Sequence, residues 1–369
     1  MEEIALDELK RRLEDEDRLE IVDIREAAEH EAWHIAGSRN LPVYNALRLQ
    51  DPSGLVQAAK ALPRDRPLVT VCRAGIMSLQ AAAVLRSIGF EAFSLQGGMR
   101  GWSEAWSRAT VVDTPFRLIQ IRRNGKGCLS YMIADGEEVI VVDPCIDAGV
   151  YVELADEMGA RITQVVETHV HADHISRARA LADTTGAALC LPRNDRVTFD
   201  YQPIDDEDLL SVGSVSVRAI RTPGHTGEST CYQVGDDWLL SGDTVFVGAV
   251  GRPDLEKGDA GARRGAEMLY GSLTERILQL AETVTILPTH HAGEILFDGI
   301  PVATTLRELR SELPLLTLDQ EAFVGRVVDS LQGKPGNFET IIGINEGRLE
   351  LGDASPLDLE AGPNRCAAG

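Results

Sequence analysis

The stretch THVHADHIS, Thr168–Ser176, puts three histidines and an aspartate into nine residues at the end of the strand-like run ITQVVET. Three other short loops repeat the arrangement more sparsely. His225 lies in TPGHTGEST, Asp243 in LLSGDTVF, and His290 and His291 in LPTHHAG. Each directly follows a β-like run, so all four can open on one edge of a sheet structure. Loops at strand ends bring together groups that are far apart in sequence. Neutral imidazole and carboxylate are the ligands of zinc and of non-heme iron. A single histidine is more often a hydrogen-bonded core or surface residue than a ligand. Six of the chain's eight histidines in three such loops reverse that balance and predict a metal site.

Outward from these loops, the 369 residues exceed what one hydrophobic core usually serves, which predicts two domains. The first 105 or so alternate helix and strand patterns. ALDELKRRL has apolar positions at helical spacing, LEIVDI and RPLVTVC are short β-branched runs, and SLQAAAVLRSIGF is an apolar helix ending near Gly89. They predict a small α/β domain with a mostly parallel sheet. SRATVVDTP, residues 107–115, reads as a linker, giving bounds of 1–108 and 112–369. Beyond it, FRLIQI, CLSYMIAD, EEVIVVD, ITQVVET, VSVRAI, STCYQV and WLLSGD are strands. A helix is expected from about Ala148 to Met158, and helical structure from Ala303 to Gln332 broken at Pro314. The mixture predicts a β-rich sandwich with helices packed outside. KPGNFETIIGIN and EAGPNRCA near the C-terminus read as ordered turns.

Charge bounds the partners. Residues 1–110 hold 14 Lys and Arg against 17 Asp and Glu, so the rest of the chain carries −19 of the formal −22. Such a surface repels nucleic acid and anionic membranes, and an anionic small substrate would need a local cation. No apolar run reaches membrane-spanning length and MEEIALDELKRRLEDED is unlike a signal peptide, so the cytoplasm is the expected location. The six cysteines contain no CxxC pair, which argues against a disulfide framework. Cys128, Cys190 and Cys231 fall in apolar strand patterns and are expected in the core; Cys145 and Cys366 are left open. Cys72, in VTVCRAGIMS, sits between a strand and a helix. A loop there turns backbone N–H groups towards the sulfur, and Arg73 adjoins it, a setting that favours a thiolate or persulfide anion.

The motifs carry two resemblances. THVHADH, TPGHTGEST, SGDTVFVGAVGRPDL and LPTHHAG resemble the metallo-β-lactamase superfamily, and the GRPDL and GPNRCA elements are similar to its persulfide dioxygenase branch. IVDIREAAEHEAWHIAGSRNLP, CRAGIMS and LQGGMRGW resemble a rhodanese domain. Together they imply an α/β rhodanese domain followed by an αβ/βα metallo-β-lactamase sandwich. The dioxygenase branch implies one Fe(II) held by His169, His225 and Asp243, a 2-His-1-carboxylate face with open positions. His171, Asp173, His174 and His290 would then surround and orient these ligands. The hydrolase branches, such as glyoxalase II, imply instead two zinc ions, with His171, Asp173, His174 and His290 as direct ligands and Asp243 bridging. Counting ligands does not choose between them. The rhodanese resemblance implies that Cys72 carries sulfane sulfur; Met77 departs from the Arg or Thr often found there. The expected partners are a small thiol persulfide, O₂, and sulfite or thiosulfate, with no nucleic acid and no membrane and with a homo-oligomer left open. Arg252, in GRPDL, is the candidate cation for the anionic substrate, with pairing to Asp254 as its structural alternative.

Overall fold

The structure, a computed structural model, describes residues 2–331, 333–353 and 355–368. Its first domain is a sheet of five parallel strands, β1 (Glu3–Ile4), β2 (Glu20–Asp23), β3 (Arg39–Asn40), β4 (Leu68–Val71) and β5 (Ala92–Leu95), in the order β1-β5-β4-β2-β3. Parallel strands need helical crossovers, which cover both faces and bury all four residues of β4. On one face Val22, Leu47, Leu55, Leu68, Cys72 and Leu85 pack together. On the other are Ile4, Leu9, Ile35, Val69, Val71 and Trp102. The expected helix in SLQAAAVLRSIGF spans Ile76–Ser87, and ALDELKRRL supplies Leu6–Glu14.

The second domain begins earlier than its sequence suggests. Residues expected to form a linker make β6 (Ser107–Val112), paired antiparallel with β7 (Arg117–Arg123). In β6, Ser107 and Ala109 are buried while Arg108 and Thr110 are exposed, the alternation of a strand with one wet face. The sheet continues through β8 (Cys128–Asp135), β9 (Glu138–Val142), β10 (Arg161–Val166), β11 (Ala188–Pro192) and β12 (Gln202–Ile204), giving seven strands. A second sheet contains β13 (Leu209–Val212), β14 (Val215–Arg221), β15 (Thr230–Val234) and β16 (Trp238–Gly242). Two short strands, β17 (Val245–Phe246) and β18 (Ala249–Gly251), lie apart from it. It is completed by β19 (Thr285–Pro288) and β20 (Thr304–Thr305).

Side chains alternate between two cores, as the strand period of two requires. Leu118, Tyr131, Ile133, Val217, Tyr232 and Leu240 fill the space between the sheets. Met132, Val139, Val141 and Val165 face outward under the helices Ala148–Glu157 and Ala178–Thr185. Ile220, Leu239 and Ile286 do the same under Gly258–Glu275, Leu306–Glu312 and Gln320–Asp329. Each fully buried side chain of this size contributes roughly 1.5–3 kcal/mol. The result is the expected αβ/βα sandwich.

Two helices were not legible. Gly258–Glu275 hides its period behind four glycines. KPGNFETIIGIN, expected as a turn, contains the helix Phe338–Asn345. Gln332, where the helical stretch was expected to end, lies outside the described residues. No helix among the described residues is long and apolar enough to cross a membrane.

Candidate metal centre and sulfur site

Four loops meet at one edge of the sandwich, where the two sheets approach. The loop after β10 brings His169, His171, Asp173 and His174; the β14–β15 connection brings His225; the ends of β16 and β19 bring Asp243 and His290. Each of these seven side chains is at most 2% exposed. His291 points elsewhere and is half-buried.

Every imidazole has one nitrogen fixed by an outer partner, which determines where the other aims. His225 Nδ1 donates to the Arg252 carbonyl at 2.8 Å, leaving Nε2 without a hydrogen bond. Thr168 Oγ1 donates to Asp143 (2.8 Å) and so accepts from His169 Nδ1 (2.9 Å), which frees His169 Nε2. His171 Nε2 is held by Glu167 at 2.9 Å, His174 Nδ1 by Asp173 at 2.9 Å and His290 Nδ1 by Asp243 Oδ1 at 2.6 Å. The opposite nitrogens of His171 and His174, and Asp243 Oδ2, are buried with no hydrogen-bond partner, while His290 Nε2 stands 3.1 Å from Asp173 Oδ2. Buried polar atoms are rarely left so.

The lone pairs converge in two sets. His169, His225 and Asp243 offer ligand atoms that all lie within 4.8 Å of one another. Asp243 Oδ2 is 3.4 Å from His225 Nε2 and 3.8 Å from His169 Nε2. Asp173, His174 and His290 form the second set, with Cys128 among them. This donor set fits a metal. Outer carboxylates and carbonyls that fix the ligand tautomer are characteristic of such sites.

Electrostatics separates the sets. Burial, with His171 and His225 alongside, pushes His169 well below the usual histidine range, and burial also lowers His225 despite Asp243. Both shifts favour the neutral ring that a metal ligand needs. The other three go up: burial opposes protonation, but Glu167 and Asp143 raise His171, Cys128 and Asp173 raise His174, and Asp173 and Asp243 raise His290.

The GRPDL element explains itself structurally. A Cβ on Gly251 would lie 1.8 Å from the Asp243 carbonyl oxygen, so only glycine lets β18 run this close to the centre. Arg252 shows the pairing with Asp254 given as its structural alternative. It is 2% exposed and forms a two-pronged pair with Asp254, at 2.8 and 3.0 Å, while donating to the Arg365 carbonyl at 3.1 Å. Its contribution is to tie the C-terminal segment down and to present the carbonyl that orients His225. That segment also supplies Asn345, whose amide donates to the carbonyls of His171 and His174 at 2.9 and 2.8 Å.

Three further residues belong here that the sequence did not single out for it. Glu167, next to the THVHADH motif, holds His171. Cys128, expected as simple core, is buried with its sulfur 3.5 Å from Asp173. Cys366 stands against Asp243 and His290. Only the third has a sequence signal, its place in GPNRCA.

In the first domain Cys72 is 2% exposed at the end of β4. The amide and hydroxyl of Ser78 each donate to its sulfur at 3.3 Å. A Cβ on Gly98 would lie 2.3 Å from the Cys72 carbonyl oxygen and 2.7 Å from the Gly75 amide nitrogen, so the GG of LQGGM lets this helix start seat the sulfur loop. Arg73 turns outward, pairing with Glu29 at 2.6 Å. The donors to the sulfur thus come from Ser78, which its place in CRAGIMS does not reveal.

Comparison with known proteins agrees with both halves. Residues 5–105 match the rhodanese-like domain and residues 123–291 the metallo-beta-lactamase superfamily. The mitochondrial persulfide dioxygenase ETHE1 of Bos taurus is 30% identical over 245 residues, covering 65% of this chain and 91% of that protein. A metallo-beta-lactamase from Staphylococcus aureus superposes with a TM-score of 0.57 at 26% identity, covering 68% of this chain and 75% of that one. ETHE1 from Myxococcus xanthus, at 24% identity and a TM-score of 0.56 over 63% of this chain and 98% of its own, shares the fold. The chain is therefore a metallo-β-lactamase-fold protein with an N-terminal rhodanese-like domain. Within that superfamily it belongs to the family of the ETHE1 persulfide dioxygenases.

Proposed function

We propose that the second domain oxidises a low-molecular-weight thiol persulfide, such as glutathione persulfide, with O₂ and water to sulfite and the free thiol, at a single Fe(II) held by His169, His225 and Asp243. In balance, RSSH + O₂ + H₂O gives RSH, SO₃²⁻ and two protons; the terminal sulfur loses four electrons to O₂. The observation that carries this reading is the convergence of His169 and His225 with Asp243 Oδ2 on one point. Bound there with open positions, Fe(II) would supply the redox chemistry that joins persulfide and O₂.

The chain's own residues do the positioning. The Arg252 carbonyl and Thr168 fix the two rings, and His290 occupies Asp243 Oδ1 so that Oδ2 alone faces inward. His171, Asp173, His174 and His290 surround the ligands and tune them. The first domain, on this reading, passes sulfane sulfur. The Cys72 thiolate takes the outer sulfur of thiosulfate and releases sulfite, or runs the exchange in reverse, and Ser78 stabilises the resulting anion.

One observation favours a second reading. His174 Nε2 and His290 Nε2 converge with Asp173, a set that with a bridging Asp243 would suit two zinc ions and thioester hydrolysis. Metal analysis of anaerobically purified protein, with oxygen uptake on a panel of persulfides, separates them. About one iron per chain and persulfide-dependent uptake support the dioxygenase; two zinc ions and no uptake support the hydrolase.

A further inference from the structure

Ser78 is the third residue of the helix Ile76–Ser87, and the first turn of a helix leaves its N–H groups without helical partners. Its amide is thereby free to donate to the Cys72 sulfur at 3.3 Å, while its carbonyl accepts from Thr70 Oγ1 at 2.8 Å. With the backbone held on both sides, the hydroxyl is the part of Ser78 that can turn. It has one proton and three acceptors in reach: the Cys72 sulfur at 3.3 Å, the Gly75 carbonyl at 3.1 Å and Ser94 Oγ at 2.9 Å.

Ser94, fully buried in β5, bears on that choice. Its own proton can go to Ser78 Oγ or to the Gly75 carbonyl at 3.3 Å. When it goes to Ser78 Oγ, the Ser78 proton is turned away from Ser94, and a chain runs from Ser94 O–H through Ser78 O–H to the sulfur. Hydrogen bonds in series polarise one another, and those ending on an anion are the strong ones. Other help for an anion is scarce here. Arg73 is held by Glu29 at 2.6 Å and lies over Tyr44, and Val22, Leu47 and Leu85, which pack with Cys72, carry no charge.

We infer that Ser94 is a positioning residue of the sulfur site: its hydroxyl orients that of Ser78, so that two buried hydroxyls in series face the Cys72 thiolate. This rests on the reading of Cys72 as a sulfur carrier. In the transfer step the thiolate attacks the outer sulfur of thiosulfate; a new S–S bond forms as the old one breaks, and its electron pair leaves on sulfite. The negative charge passes from Cys72 Sγ to the outer sulfur of the persulfide, and no proton moves. The relay therefore acts before the transfer, by setting how much thiolate is present to attack.

Alkylation of Cys72 by iodoacetamide in the full-length protein, followed across pH by mass spectrometry of the Cys72 peptide, reports that thiolate. Ser94→Ala should displace the profile to higher pH, with about three- to tenfold slower alkylation on its rising limb, the factor of one ordinary hydrogen bond. Sulfur transfer from thiosulfate should fall comparably. Ser94→Thr keeps the hydroxyl and should restore both. Added to Ser78→Ala, Ser94→Ala should change nothing further, because it acts through that hydroxyl. An unshifted profile in Ser94→Ala overturns the inference, as does a shift that Ser94→Thr leaves unrestored or one that persists in the Ser78→Ala background. Where Ser94→Ala fails to fold, Ser78→Ala carries the test, and an unshifted profile there overturns the inference equally. A shift in Ser94→Ala with no sulfur transfer from thiosulfate even by the wild type would leave the relay standing and defeat the carrier reading instead.

Discussion

The two oxygens of Asp243 have different partners, and on the proposed one-iron reading that difference separates direct ligands from their supports. Oδ1 takes the proton-bearing nitrogen of His290; Oδ2 faces His169 and His225. Replacing His169, His225 or Asp243 by alanine should empty the site, with loss of most bound iron and all oxygen uptake. His174→Ala should retain measurable iron, since changes around the ligands typically cost about 10- to 100-fold in affinity or activity. Metal content by mass spectrometry checks this; loss of one of two metals in His174→Ala would contradict it. Arg252→Ala takes the two-pronged partner from buried Asp254 and leaves it only Lys334 at 3.9 Å, so it should lower stability by about 3 kcal/mol in urea unfolding. At this scale histidine-rich loops announce themselves, because few other roles concentrate imidazole at strand ends. Ser78, Glu167 and Cys128 do not: each acquires its partner from a neighbour that sequence spacing leaves unspecified. Arg252 was legible only as one of two alternatives, because its pairing with Asp254 depends on burial that spacing does not reveal.

Among the elements, the C-terminal segment is the one most dependent on buried charge. Glu360 in the short helix Pro356–Glu360 meets Arg123 at 2.7 Å and Arg177 at 3.0 Å, and accepts from the Ile175 amide at 2.9 Å, next to the histidine loop. Burial works against its ionisation, but the two guanidiniums outweigh it and hold the carboxyl below its usual value. A depressed folded-state pKa gives stabilisation that is complete above the unfolded value of about 4.3 and disappears as pH falls through the folded one. Acidification through that window should therefore raise hydrogen exchange in residues 338–345 and 356–360. Glu360→Gln should show fast exchange there already at neutral pH and no further change on acidification. The turn expected at KPGNFETIIGIN shows why this segment was hard to read. Its helix of eight residues starts after Lys-Pro-Gly-Asn, with Asn337 in the left-handed region at φ 59°, and so short a helix depends on packing that a local pattern does not contain. The strand at Ser107–Val112 is the opposite case: its alternation was present in the sequence, but the polar residues around it looked like a linker.

Across the whole molecule, the larger divisions were the most legible: two domains, a parallel sheet and then a sandwich, because each depends on many residues whose periods agree. What no segment announced is how the domains sit together. Cys72 packs with Val22, Leu47 and Leu85 on one face of the first sheet, whereas Ile35 and Trp102, which border a cavity between the two domains, lie on the other. Cys72→Ser should accordingly abolish sulfur transfer from thiosulfate while leaving persulfide-dependent oxygen uptake within about twofold, since distant sites with no shared partners behave additively. Loss of uptake without loss of iron would show that the sites are not independent. On the proposed sulfur-transfer reading, Cys72 and the metal centre belong to separate domains, and a persulfide that the first releases to solvent has to be captured again by the second. A reaction started from thiosulfate and thiol should then begin oxygen uptake only after a lag, one that shortens as total protein is raised and lengthens when a freely diffusing sulfur scavenger competes for the intermediate.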